Sequence, residues 1–67
     1  MSHYDYEASK RISAEDPPFA ALIMAAYRKA DSRNAAALYA GFPDIVRELQ
    51  ARYDAPGGIL PGERGPS

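Results

Sequence analysis

Phe19, Leu22, Ile23, Ala26, Tyr27 and Ala30 recur at i, i+3, i+4, i+7, i+8 and i+11. That spacing lines one face of an α-helix. In a chain of 67 residues it is the feature that most limits the fold, because a whole helix face must be covered by very little remaining chain. A chain this short buries only about 60% of the surface its unfolded form exposes. Small proteins make up the deficit with disulfides, a metal or oligomerisation. There is no cysteine and a single histidine, His3, so disulfides and thiolate metal sites are excluded and no metal or other cofactor is expected. Self-association is the route left open. The competing reading is a monomeric helical hairpin held by good packing.

Ala20, Ala21 and Met24 lie off the main stripe, so the helix that begins at Pro18 is apolar nearly all round. Such a helix is covered on several sides. In a chain this small, that points to a second subunit. The formal net charge of −1 argues against a nonspecific nucleic-acid binder. The longest apolar run, Phe19 to Tyr27, has nine residues, too few to span a bilayer. No basic-then-apolar leader opens the chain. No membrane partner and a cytoplasmic location are expected.

Four helices are predicted, at about 4–12, 18–30, 33–40 and 43–53, followed by a Pro/Gly-rich tail over 55–67. Tyr4, Ala8 and Ile12 recur at i+4 in the first, with Ser2 or Asp5 to cap it. Pro17 and Pro18 force an extended entry to the second, and Pro18 suits its first position. Glu15 and Asp16 place negative charge near its N-terminus. No glycine or proline separates Phe19 from Ala40, so one kinked helix of about 34 Å is an alternative. The hydrophobic phase favours a turn. The first stripe would continue through Arg33 and Asn34, whereas the second one reads Ala35, Leu38, Tyr39 and Phe42. Asp31-Ser32-Arg33-Asn34 supplies capping residues for a helical hairpin. Gly41 is expected as a C-terminal cap with positive φ, and Pro43 as the opening of the last helix. Ile45, Val46, Leu49 and Tyr53 form that helix's apolar side, and Glu48 and Arg52 an i,i+4 pair. Three prolines and four glycines fall within the last thirteen residues, a linker-like composition in which only Ile59 and Leu60 could fasten the tail down. The expected fold is all-α, with three or four short helices around a central helical hairpin, and oligomeric.

Catalysis is not expected. The adjacent acids Glu15 and Asp16 are accounted for by the helix start, and His3, near the terminus, makes a poor base for a serine nucleophile. The basic residues fall into three groups, Lys10-Arg11, Arg28-Lys29-Arg33 and Arg47 with Arg52, accompanied by Tyr6, Tyr27 and Tyr53. Arginine beside an aromatic face suits a phosphate and a stacked base, although a solvated helix face with tyrosines at its edge explains the same pattern. The candidate binding site is Tyr27, Arg28, Lys29, Arg33 and Asn34 at the end of the hairpin. Tyr6, Lys10 and Arg11 form a second candidate patch.

The run Asp16-Pro17-Pro18-Phe19-Ala20-Ala21-Leu22-Ile23-Met24-Ala25-Ala26-Tyr27-Arg28-Lys29-Ala30-Asp31 resembles a group of short uncharacterised bacteriophage and prophage accessory proteins. So do Ala40-Gly41-Phe42-Pro43 and Glu48-Leu49-Gln50-Ala51-Arg52-Tyr53-Asp54-Ala55-Pro56-Gly57-Gly58. The resemblance spans roughly Pro17 to Leu60 and carries no active-site motif. It implies a non-enzymatic phage accessory protein, located in the host cytoplasm, that binds and inhibits a host factor such as a defence component. An oligomeric sponge for a nucleotide-like signalling anion and a virion assembly helper are the alternatives.

Overall fold

The computed structural model describes residues 1–63. It is all-helical: α1 (His3–Ala14), α2 (Phe19–Lys29), α3 (Ser32–Gly41) and α4 (Pro43–Asp54) are followed by a 3-10 turn, Pro56–Gly58. No strand occurs among the described residues. Residues 64–67 of the expected tail lie outside the described residues.

Local chemistry sets the boundaries. Ser2 Oγ accepts from the Asp5 N–H at 3.2 Å while Asp5 Oδ2 accepts from the Ser2 N–H at 3.1 Å, closing a capping box at the start of α1. Ala30 (ψ 140°) and Asp31 (ψ 175°) are both extended, so α2 and α3 are separate helices and not one kinked rod. Asp31 then accepts from the Asn34 N–H at 2.9 Å and caps α3. Two expectations are corrected. Gly41 is the last residue of α3 and lacks a positive φ. The break that follows is made by Pro43, which cannot donate an N–H and drives Phe42 out of the helical region, to φ −135° and ψ 60°. Pro18 precedes α2 as its cap residue, and no side chain caps that helix. Glu15 is the C-terminal cap residue of α1, and Asp16, at φ +51°, donates its N–H to the Ser13 carbonyl at 2.9 Å.

The packing centre is α4. It contacts α2, α3 and the 3-10 turn, and the α2–α3 contact is flanked by both of those interfaces. Only Val46 and Leu49, 1% and 6% exposed, are fully buried among the described residues. Tyr53, expected on the same apolar side, is 80% exposed. The face that α2 turns inward differs from the one its stripe suggests. Ala20, Ile23, Met24 and Tyr27 are half-buried, whereas Phe19, Leu22 and Ala26 are exposed. Phe19 still meets Phe42 edge to face, with ring centroids 5.6 Å apart. In α1, no Cα comes within 8 Å of a Cα in another helix.

The molecule is accordingly elongated, 48 × 27 × 17 Å, with a radius of gyration of 14.4 Å. A compact chain of this length has a radius near 11 Å. Its accessible surface is 5578 Å², against about 4,200 Å² for a compact protein of the same mass.

The segment after α4 folds back. Gly57 and Gly58, at φ +63° and +72°, supply the left-handed turn, a conformation that costs glycine little. Arg52 fastens the returning chain. Its Nη1 donates to the Gly58 carbonyl at 2.8 Å, and Nη1 and Nη2 form a two-pronged pair with Glu63 at 2.8 and 2.5 Å. Its Nε also donates to Glu48 at 3.2 Å, so the expected i,i+4 pair is one part of a larger network. The Arg52 guanidinium, assisted by the Leu60 N–H, holds the Glu63 carboxyl below its ordinary pKa.

Two outcomes follow from this architecture. Leu49→Ala should lower unfolding free energy by about 2–4 kcal/mol in urea titrations, whereas Tyr4→Ala on the free-standing α1 should change it by less than about 0.5 kcal/mol. The tail contact should depend on pH in one direction. A carboxylate whose folded pKa is depressed contributes above its unfolded value and loses that contribution as pH falls through the folded one. Protection of the Leu60 amide against hydrogen exchange should therefore be full at neutral pH and fall in acid, below the usual carboxylate range. Glu63→Gln should weaken the protection at neutral pH and flatten its pH dependence.

Candidate functional site

Helices α2 and α4 border an open groove of about 710 Å³ lined by Tyr27, Arg28, Leu49, Gln50, Tyr53 and Asp54. Each residue is placed by its position on its helix. Tyr27 belongs to the half-buried face of α2, and its hydroxyl accepts from Gln50 Nε2 at 3.4 Å, tying the two helices together across the groove. Leu49 is buried and forms an apolar floor. Gln50, Tyr53 and Asp54 follow it along the last turns of α4. Tyr53 stands 80% exposed. Arg28 and Asp54 are both exposed and form no ion pair among the described residues. The groove therefore offers an apolar base, two phenol rings, an amide and one unpaired charge of each sign.

The five candidate binding residues do not gather at one place. Tyr27 and Arg28 line the α2–α4 groove. Lys29 and Asn34 line a different one, between α2 and α3, with Ala26, Ala30, Ala37 and Leu38. The Asn34 backbone N–H is also committed to the Asp31 cap. Arg33 is exposed in the first turn of α3 and lines neither groove. Arg28 and Lys29 part because successive residues on one helix point about 100° apart, and the extended Ala30-Asp31 link gives Arg33 a phase that α2 would not have continued.

In the second candidate patch, Lys10 Nζ lies 5.5 Å from the Tyr6 ring centroid and 2.9 Å from Glu7. Lys10 is thus already paired within α1, while Arg11 is exposed and makes no ion pair among the described residues. His3, 3.5 Å from Glu7, is 83% exposed at its side chain. No group of three or more His, Asp or Glu side chains converges among the described residues.

The third basic group is used internally. Arg47 stacks 5.7 Å from the Tyr39 ring centroid and donates to its hydroxyl at 3.3 Å, and Arg52 holds the returning tail. Gln50 and Asp54 escaped attention in the sequence because their partner across the groove, Tyr27, lies more than twenty residues away on another helix. The local signal is that Gln50 and Asp54 stand four residues apart, as do Leu49 and Tyr53, so each pair shares one side of α4. Among the described residues, no helix is long and apolar enough to cross a membrane. The chain matches no protein-family model, no curated protein and no solved structure.

Proposed function

We propose that this chain is a non-enzymatic binding protein that engages a protein partner through the α2–α4 groove and works as a homo-oligomer. The observation that carries this reading is the groove's lining. Exposed Tyr53, unpaired Arg28 and unpaired Asp54 surround an apolar floor at Leu49. Tyrosine and arginine around a desolvated centre are the residue types that dominate binding energy at protein interfaces. A segment that places an apolar side chain over Leu49, with a carboxylate toward Arg28 and a donor toward Asp54, fits that chemistry. The fold's shortage of buried side chains supports the oligomer, since Val46 and Leu49 alone make a small core for four helices.

The resemblance to phage accessory proteins supports the biological setting. In it the partner is a host protein, a defence component for example, and binding in the host cytoplasm inhibits it. The sponge reading draws less support. A nucleotide-like anion wants several cations in one place, but Arg28 and Lys29 line separate grooves and Asp54 stands beside the first.

The immobilised protein should retain a host protein from a bacterial lysate at near-stoichiometric yield. Arg28→Glu combined with Tyr53→Ala should weaken that capture by about thirtyfold or more while helicity by circular dichroism is unchanged. Equal capture by the double variant would move the site off the groove. Recovery of a small ligand absorbing near 260 nm in place of a protein would favour the sponge.

A further inference from the structure

We infer that the outward face of α2 is the surface on which two copies of this chain associate, antiparallel about a twofold axis near Leu22. This rests on the self-association stated above and does not depend on the α2–α4 groove. Phe19, Leu22 and Ala26 follow one another at i, i+3 and i+7 on α2 and are all exposed, Phe19 and Leu22 to 60% and 36%. That is the spacing of a helix–helix seam. The face continues onto α1, because Ile12, 51% exposed, lines the same α1–α2 groove as Pro17 and Leu22. No Cα of another helix lies within 8 Å of a Cα of α1, so a second copy seated in that groove gives α1 a closer packing partner.

Charge selects a copy of this chain as the occupant and sets its direction. Glu15 and Asp16 precede α2, Lys29 ends it, and Arg33 stands in the first turn of α3. All four are exposed, and none forms an ion pair among the described residues. A parallel pairing would set like charges side by side at both ends. The antiparallel pairing sets the acids of each copy beside the cations of the other, twice over, as an isologous interface requires. Lys29 lies seven residues beyond Leu22, about 10.5 Å along the helix axis, and Asp16 stands six residues before it, across the Pro17-Pro18 entry. In this register Phe19 of one copy lies opposite Ala26 of the other, large against small.

Complementary charge reversal tests the arrangement. Lys29→Glu/Arg33→Glu makes both ends of the face acidic. Glu15→Lys/Asp16→Asn makes the first end basic, with asparagine keeping the left-handed backbone at position 16 unstrained. By sedimentation equilibrium at low salt, the parent chain should be a dimer and each variant alone should dimerise about tenfold more weakly. An equimolar mixture of the two variants should regain dimer mass as the mixed species. Leu22→Arg should remain helical by circular dichroism and run as a monomer. A parent that stays monomeric at high micromolar concentration would overturn both self-association and this surface. A dimeric parent whose mass is insensitive to both charge variants and to Leu22→Arg would overturn the surface alone.

Discussion

Everything in this chain hangs on the burial of Val46 and Leu49 on α4. Three residues apart, they project from one side of the helix, and α2, α3 and the 3-10 turn all pack against α4. Removing a Leu-sized side chain from water contributes roughly 1.5–3 kcal/mol, and α4 carries both of the fully buried side chains among the described residues. The half-buried side chains of α2 and α3 add to the core without closing it. The surface left open is therefore a property of the fold's size, and it sits where α2 has more apolar faces than its own chain has helices to cover.

That surplus also explains what the sequence could and could not disclose. The helix ends were legible because they are local. Ser2 with Asp5, Asp31 with Asn34, and Pro43 each act within a few residues, and each sits at or next to the boundary its chemistry predicts. The inward face of α2 was not legible. With apolar residues nearly all round, periodicity marks Phe19, Leu22 and Ala26 as readily as Ala20, Ile23 and Met24, and the choice is made by where α4 lies. Gly41 misled for a related reason. A glycine near a helix end suggests a left-handed cap, but the following Pro43 already enforces the break. The glycines that do adopt positive φ among the described residues, Gly57, Gly58 and Gly62, lie in the segment whose composition reads as linker. There they turn the chain so that Glu63 reaches Arg52, a pairing across eleven residues that no helical spacing announces.

The candidate site was half legible for the same physical reason. Tyr27 and Arg28 were marked by the conjunction of an aromatic ring and a cation, and both line the principal groove. The opposite wall, Gln50, Tyr53 and Asp54, depends on α4 lying alongside α2. The expected grouping of Arg28, Lys29, Arg33 and Asn34 assumed that neighbours in sequence stay neighbours in space. Arg28 and Lys29 part within α2 because successive helical residues point about 100° apart, and the break before α3 leaves Arg33 outside both grooves while Lys29 and Asn34 line one together.

The two surfaces of α2 can then serve different partners without competing. Arg28 faces the α4 side, where it lines a groove with Tyr53 and Asp54. Phe19 and Leu22 lie on the exposed face, and Leu22 shares its groove with Ile12 of α1. A pairing of copies through Leu22 leaves both α2–α4 grooves open, one on each copy. Such a dimer presents two equivalent sites, and a partner with two matching segments would be held far more tightly than by either site alone, through effective concentration and without any additional contact. In the proposed dimer, two linked grooves would give a small chain a physical route to tighter binding than one open groove provides.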